Sequence, residues 1–151
     1  SGRGRPAAGD GQHAALETQL MLTLPFPPSV NHYWRHYRGR TVISQEGQAY
    51  RTAVCALLAG GGPRKPPSGG RIALCMDAFP PDKRRRDLDN LAKAGIDSMQ
   101  HAGLYEDDGQ IDLLVIRRRD RVSGGKLHVS IDLFPLAFCP LCRAPFNPEN
   151  N

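Results

Sequence analysis

Apolar and polar residues alternate in four short stretches of the chain, and this alternation predicts four β-strands. Leucine occupies every second position over residues 20–24 before a proline cluster ends the pattern, and apolar residues do the same over 72–76. Two more strands are predicted near 111–118 and 127–133. Because the turn residues Ser123-Gly-Gly separate the last two strands, the pair is interpreted as an antiparallel hairpin.

Apolar residues at helical spacing lie between the strands and predict two main helices. Ser44 is a typical N-cap for a helix that runs to about Leu58. Its apolar side is predicted to consist of Ala49, Ala53, Val54, Leu57 and Leu58. A second helix is predicted between Asp87 and Gly103, with an apolar stripe of Leu88, Leu91, Gly95, Met99 and Ala102. The order β-α-β-α-β-β indicates an α+β fold, a small mixed β-sheet with both helices packed on it.

The composition changes along the chain and divides it into three parts. Residues 1–18 are rich in glycine, alanine and polar residues without an apolar period, so they are interpreted as a disordered extension or a remnant of expression. Residues 19–134 are predicted to form the folded domain. Residues 135–151 are predicted to form a proline-rich tail that contains a Cys-x₂-Cys pair.

The overall composition excludes several classes of protein. The chain has 20 lysine and arginine residues against 15 aspartate and glutamate residues, a formal charge of +5, so it is only moderately basic. No stretch reaches the ~18 uncharged apolar residues of a membrane span, and no secretory leader opens the chain. Four cysteines are too few and too unevenly placed for a secreted disulfide scaffold. We therefore expect a cytoplasmic protein that is not secreted and has no membrane partner.

Basic and acidic residues are concentrated in one segment, residues 79–108. The basic run Lys83-Arg-Arg-Arg86 directly precedes Asp87 and Asp89. A basic run beside a pair of carboxylates suits a site that attracts a polyanion and holds a divalent cation. Lys93 lies one helical turn after Asp89, away from the apolar stripe.

Two further carboxylates, Asp107 and Asp108, follow the second predicted helix. Reversal of the chain after that helix is expected to return them to the neighbourhood of Asp87. Aspartates with few histidines or cysteines nearby select a hard cation, so Mg²⁺ is expected and Mn²⁺ is a suitable substitute. A lysine beside such an ion would stabilise the negative charge that develops on an attacked phosphodiester.

Each of these residues also has an ordinary structural interpretation. Asp87 could be only a helix N-cap, and Asp89 and Lys93 could form a surface ion pair. Asp107, Asp108 and Gly109 could form only a turn, and the basic run could be a solvated face. The residues alone therefore leave open a DNA-binding module without catalytic activity.

The motifs in this segment resemble those of a known family. The string Arg84-Arg-Arg-Asp-Leu-Asp-Asn-Leu-x-Lys93, with Asp108 downstream, is similar to the signature of the RusA family of Holliday junction resolvases. The run Leu24-Pro-Phe-Pro-Pro-Ser-Val-Asn-His-Tyr-Trp-Arg-His36 resembles that family's opening strand and loop. The run Ser44-Gln-Glu-Gly-Gln-Ala-Tyr-Arg51 resembles its first helix.

The resemblance implies a function and roles for individual residues. Asp87, Asp89 and Asp108 match the metal-binding catalytic aspartates of the family, Asp107 is a further possible ligand, and Lys93 matches a lysine that assists at the scissile phosphate. The implied activity is a Mg²⁺-dependent endodeoxyribonuclease in DNA recombination and repair. It acts as a homodimer at the nucleoid and resolves four-way DNA junctions by paired symmetric nicks. The alternatives are a non-catalytic junction-binding module and a metal-dependent nuclease for other branched DNA.

Basic residues in three places are candidates for DNA binding. Asn31 precedes a run in which arginines and aromatic residues interleave, and there Trp34 and Tyr37 either stack on an unpaired base or pack in the core. Arg118 belongs to a second basic run that could equally protect an edge strand from aggregation. The basic DNA-binding candidates are Arg35, Arg38, Arg40, Lys83, Arg84, Arg85, Arg86 and Arg118.

Cys139 and Cys142 have the spacing of half a zinc site. A tetrahedral site needs four ligands, and two tails that meet across a dimer could supply them. The alternative is an adventitious or redox-sensitive pair in a flexible tail. Zinc is therefore a secondary expectation beside Mg²⁺.

Overall fold

A four-stranded mixed sheet carries the helices on one face. The computed structural model describes residues 20–60, 69–134, 136 and 138–145; the predicted extension 1–18 lies outside the described residues. The strands are β1 (Leu20–Pro25), β2 (Trp34–Tyr37), β3 (Arg40–Ile43), β4 (Ile72–Phe79), β5 (Ile111–Arg118) and β6 (Lys126–Leu133). The helices are α1 (Val30–Tyr33), α2 (Gln45–Ala59) and α3 (Leu88–His101), followed by a 3₁₀ turn (Asp108–Gln110). The α+β fold and the mixed sheet with two main helices are confirmed.

The strands of the main sheet are ordered β1-β6-β4-β5. β6 is antiparallel to β1 and to β4, whereas β5 is parallel to β4. The predicted hairpin of β5 and β6 is therefore wrong, because β4 lies between these two strands. Helix α3 returns the chain to the edge of the sheet at which β4 begins. A strand that starts at this edge beside β4 runs in the same direction as β4, so β5 is parallel to it.

The segment after β5 crosses the end of β4 before β6 begins. The N–H of Arg119 donates to the carbonyl of Ala78 (2.8 Å), and that of Val122 donates to the carbonyl of Pro80 (3.0 Å). Gly124 and Gly125 then reverse the chain at φ values of 76° and 66°, which glycine adopts without a steric cost. The glycine turn was predicted correctly, but it connects β5 to the far side of β4.

The core lies between the helices and one face of the sheet. Alternate residues of β4 (Ile72, Leu74, Met76 and Ala78) are buried in it. Helix α3 approaches the sheet closely at Gly95, where a Cβ would lie 2.8 Å from Cε of Met76. None of the described helices combines the length and the apolar composition that a bilayer span requires.

Helix α2 begins as predicted, and Val54 and Leu58 of its predicted apolar side pack inward, but the buried face is rotated from the predicted one. The side chain of Ser44 accepts a hydrogen bond from the N–H of Gly47, as expected of an N-cap. The buried residues of the helix are Gly47, Tyr50 and Val54, while two residues of the predicted apolar side, Ala49 and Leu57, are exposed. The face is set by α1, since a Cβ on Gly47 would lie 2.5 Å from the carbonyl oxygen of Tyr33.

A second, two-stranded sheet occupies the segment that the sequence suggested was a loop. β2 and β3 pair antiparallel, with Tyr37 opposite Arg40. Arg38 and Gly39 form the connecting turn at φ values of 48° and 72°. This is the geometry of a two-residue hairpin turn, in which both central residues have positive φ. We call residues 34–43 the arginine hairpin.

Candidate metal site and nucleic-acid interface

Asp87 and Asp89 lie at the N-terminus of α3. Asp87 occupies the N-cap position, and its carbonyl accepts the N–H of Leu91 (3.3 Å), but its side chain makes no capping hydrogen bond. Both aspartates are exposed. The interpretation of Asp87 as a side-chain cap is therefore not borne out, and both carboxylates are exposed at this end of the helix.

Lys93 lies on the exposed side of the same helix. The opposite side of α3 is buried through Leu91, Gly95 and Met99. Among the ion pairs of the described residues, none joins Asp89 to Lys93. The surface ion pair considered from the sequence is thus not formed, and Lys93 lies one helical turn after Asp89.

A cleft of about 620 Å³ borders Asp87 on one side. Its walls are the segment after β4 and the segment after β5, and cationic side chains dominate them. The charged lining residues are Asp82, Lys83, Arg84, Arg85, Arg86, Asp87, Arg118, Arg119, Asp120 and Arg121. A cleft with this charge attracts a phosphate backbone.

One of the predicted DNA-binding arginines, Arg86, holds the cleft wall in place. Its guanidinium donates twice to the carboxylate of Asp82 (2.6 and 3.1 Å) and lies 5.3 Å from the ring centre of Phe26. The hydrogen bond from Arg86, with one from the N–H of Arg84, lowers the pKa of Asp82 to about 2. Arg118 donates to the carbonyl oxygen of Arg86 and so ties the two walls together.

The remaining basic residues of this wall are open to solvent, although Nε of Arg84 lies 3.8 Å from the carboxylate of Asp82. Lys83, Arg84 and Arg85 are exposed, and the Arg84 side chain is 84% exposed. A smaller cleft of about 270 Å³ adjoins the other side of Asp87 and is lined by Asn31 and Asn90 as well as by Arg85. Asp87 therefore lines both clefts.

Asp107 and Asp108 lie at the opposite end of α3. This helix has 14 residues and is about 20 Å long at 1.5 Å per residue. Its first residues follow the end of β4, whereas Asp108 precedes β5, whose first residue pairs with the first residue of β4. The expected return of Asp108 to the neighbourhood of Asp87 is therefore wrong within one chain, because the strands on either side of α3 are parallel.

Asp107 has a structural role in the 3₁₀ turn. Its side chain accepts the N–H of Gly109 (2.6 Å) and forms a capping box with Gln110. The hydrogen bond from Gly109 and, secondly, one with the Asp108 side chain hold the pKa of Asp107 below its ordinary value. Asp108 is exposed beside it. In the described part of the chain, no group of three histidine, cysteine, aspartate or glutamate side chains could hold a metal ion.

The arginine hairpin presents an exposed aromatic side chain among cations. Tyr37 is 52% exposed, and the guanidinium carbons of Arg35 and Arg38 lie 5.6 and 5.2 Å from its ring centre. Arg40 at the other end of the turn is also exposed. Trp34 is half-buried and packs against the core, so the two aromatic residues have different surroundings.

A buried polar cluster anchors the base of the hairpin to α3. The Tyr33 hydroxyl donates to the carboxylate of Asp97 and lies 3.1 Å from Oγ of Ser98. Arg51 of α2 donates to the same carboxylate (2.8 Å). Burial, followed by the hydrogen bond with Asp97, raises the pKa of Tyr33. These residues were missed in the sequence, which gives no sign that a tyrosine and an aspartate so far apart are partners.

Cys139 and Cys142 lie in a turn after β6, and both are free thiols. Cys139 is half-buried and Cys142 is exposed. Neither is close to the clefts beside Asp87, because residues of their turn line a pocket together with residues of β1, β4 and β6.

Comparison with known proteins identifies the family of this chain. The family model described as Endodeoxyribonuclease RusA matches residues 25–133. The chain belongs to the RusA family of endodeoxyribonucleases. The matched region includes the arginine hairpin, both clefts and the four aspartates predicted as metal ligands. It ends before Cys139 and Cys142 in the tail of this RusA-family chain.

Curated members of the family are similar to this chain over most of its length. It is 42% identical over 114 residues to the crossover junction endodeoxyribonuclease of Enterobacteria phage 82, an alignment that covers 73% of this chain and 91% of the relative. It is 40% identical to the RusA protein of Escherichia coli and 41% identical to that of Shigella sonnei, with the same coverage.

Proposed function

We propose that this RusA-family chain is an endonuclease that resolves four-way DNA junctions by paired symmetric nicks, with Mg²⁺ as its cofactor and a homodimer as its active form. The observation that carries the proposal is Asp87 at a cleft lined by cations, with the exposed Asp89 two residues further along the same helix. The family implies a divalent metal, and relatives named crossover junction endodeoxyribonucleases indicate the substrate.

The donor set at the N-terminus of α3 fits a hard divalent cation. Asp87 and Asp89 offer carboxylate oxygens, and among the described residues that line the two clefts there is no histidine or cysteine. Such ligands favour Mg²⁺ or Mn²⁺ over zinc. When bound, the ion would polarise the phosphodiester and lower the pKa of a water molecule.

The cationic cleft walls bind the DNA backbone. Lys83, Arg84 and Arg85 are exposed and contact phosphates without reading bases, so they contribute affinity that falls with salt. Lys93 lies one turn along the helix from Asp89 and stabilises charge on the attacked phosphate. Arg86 acts indirectly, because its guanidinium fixes the wall through Asp82.

Replacing Lys93 with alanine is expected to slow single-turnover junction cleavage by about 100- to 1000-fold, as loss of one charge-stabilising donor does in other enzymes. Junction binding should change little, since Lys93 is one cation among many. Lys93→Arg is the matched control that keeps the charge on the same helix face. An unchanged cleavage rate in Lys93→Ala would remove this residue from the mechanism.

The third predicted ligand, Asp108, is proposed to come from the partner chain. Within one chain α3 separates it from Asp89 by about 20 Å, so no side-chain movement can join them. Two chains related by a two-fold axis can place the 3₁₀ turn of each beside the α3 N-terminus of the other. This arrangement forms two metal sites, as two symmetric nicks require.

The edge strand β5 offers a surface for this pairing. β5 is at one edge of the described sheet, and its first residues follow Asp108 while its last residue, Arg118, contacts the backbone of Arg86. If two copies pair through β5 in antiparallel fashion, the start of one strand lies opposite the end of the other. Asp108 of one chain then approaches Asp87 of its partner.

Tyr37 is proposed to stack on a base that is unpaired at the branch point, while the arginines around it bind phosphates. Tyr37→Ala should reduce the preference for a four-way junction over linear duplex by roughly tenfold, because stacking on an aromatic side chain is worth about 1–3 kcal/mol per base. Tyr37→Phe should retain the preference. The junction carries 2-aminopurine at its centre, so that fluorescence anisotropy measures binding and quenching of the 2-aminopurine fluorescence measures stacking. Equal quenching by wild type and Tyr37→Ala would contradict the role.

The function is tested by incubation of the full chain with labelled four-way, flap and linear DNA of the same sequences. We expect paired nicks in the four-way junction with Mg²⁺ or Mn²⁺ and none with EDTA. Cleavage of the flap but not of the junction would assign a different branched substrate. Tight junction binding without cleavage in any divalent metal would indicate a binding module instead.

A further inference from the structure

The two cysteines outside the matched family region lie in an ordered turn. Phe138 and Pro145 form an isolated antiparallel bridge that closes it. The N–H of Cys139 donates to the carbonyl of Ala144, and the N–H of Arg143 donates to the carbonyl of Cys139, both at 2.8 Å. The flexible tail expected from the proline content is therefore replaced, over residues 138–145, by a hydrogen-bonded loop.

The backbone of this turn is arranged around the sulfur of Cys139. The N–H groups of Cys142 and Leu141 donate to that sulfur. Arg143 adopts a φ of 60°, a left-handed conformation that is uncommon for a residue with a side chain. Its guanidinium lies 3.4 Å from the carboxylate of Asp132 in β6, which fixes the turn to the sheet.

The hydrogen bonds of the turn hold the sulfur of Cys139 in a defined position. Backbone N–H groups that donate to a sulfur orient it, as outer hydrogen bonds orient the ligands of metal sites. Two cysteines separated by two residues on one tight turn supply two corners of a tetrahedron. Two cysteines without a common role would not require the left-handed conformation of Arg143 or the ion pair that holds the turn.

One chain supplies only half of such a site. Zinc bound by thiolates takes four ligands in structural sites. In the part of the chain that the structure describes, no third histidine, cysteine or carboxylate joins Cys139 and Cys142 in a group that could hold a metal. Cys55 lies in α2, and Cys75 lies buried in the middle of β4.

We propose that Cys139 and Cys142 from two copies of this chain bind one zinc ion in a Cys₄ site. Two identical pairs related by a two-fold axis complete a tetrahedron, which has that symmetry. Cys142 is exposed and the neighbouring Leu141 is 52% exposed, so the ligand face of the turn is open to a second copy. Binding releases the thiol protons to solvent and involves no redox change.

The contact between two copies at the zinc site differs from the pairing through β5 that is proposed for catalysis. The turn packs on the sheet face that carries Thr23, Asp77 and His128, whereas α2 and α3 cover the other face. The zinc site therefore does not depend on the proposed nuclease activity and lies outside the matched family region.

The experiment uses the full chain, freed of metal under reducing conditions and then loaded with zinc alone. We expect about 0.5 zinc per chain after removal of excess metal, and a zinc X-ray absorption spectrum with four sulfurs at about 2.3 Å. Cobalt in place of zinc should give the visible absorption of a tetrahedral thiolate site. Cys142→Ser should lose the metal, whereas the matched control Cys55→Ser should retain it.

Three results would overturn the proposal. One zinc per chain would mean that a single chain completes the site. Two sulfurs with nitrogen or oxygen ligands would exclude a second cysteine pair. Retention of zinc by Cys142→Ser would place the ion elsewhere. None of these readouts uses DNA, so loss of junction cleavage and loss of zinc binding are distinguishable.

Discussion

Asp89→Asn is expected to abolish junction cleavage, with a loss of about 1000-fold or more, while binding to the four-way junction stays within about twofold. The substitution keeps the size of the side chain but removes the charge that holds the metal, and metal ions supply several kcal/mol of transition-state stabilisation. Binding persists because the cations of the cleft are unchanged. Single-turnover cleavage and electrophoretic mobility shift on the same junction measure the two effects.

A carboxylate in an equivalent local position provides the control. Glu46 lies in the first turn of α2 and is exposed, as Asp89 is in the first turn of α3. Glu46→Gln should leave both cleavage and binding unchanged. If Asp89→Asn weakened binding as strongly as it slowed cleavage, the carboxylate would serve the DNA interface and not a metal.

Mixing two inactive variants is expected to restore nicking. If each site combines Asp89 of one chain with Asp108 of its partner, a mixed dimer of Asp89→Asn and Asp108→Asn contains one site with both changes and one intact site. That dimer should nick one strand of the junction, whereas either variant alone should be inactive. About half of the dimers in an equimolar mixture are mixed if chains exchange freely between isologous dimers.

The readout is a nicked junction without paired cuts, measured on denaturing gels after the variants are co-refolded or allowed to exchange. Mixing Asp87→Asn with Asp89→Asn provides the control, because both changes then affect the same half of the site and no intact site forms. Nicking in that control, or its absence from the first mixture despite demonstrated exchange, would contradict a site shared between chains.

The local parts of the fold were predictable because they depend on neighbours in the sequence. Helix α3 follows from apolar residues at helical spacing, and the same spacing places Asp89 and Lys93 on the exposed side. The N-cap at Ser44 depends on one side chain and an N–H three residues later. The strand alternation in β4 and β6 also has a purely local origin.

Two of the errors concern the arginine hairpin and helix α2, where the answer depends on distant parts of the chain. The arginine hairpin was missed because short strands of arginine, histidine and tyrosine lack an apolar alternation. Its pairing rests on the turn at Arg38 and Gly39 and on a buried tyrosine held by α3. The face of α2 was predicted only in part, because Tyr33, packed against Gly47, decides which side is buried.

The amino-acid order by itself indicated the candidates for the chemistry: an acidic pair with a basic run before it, a lysine one turn later and a second acidic pair beyond the helix. Only the tertiary structure decided how far apart they are. A strand pairs with whichever neighbour packing selects, and β5 joins β4 in parallel. Helix α3 therefore spans the sheet, and its two acidic ends can meet only between chains.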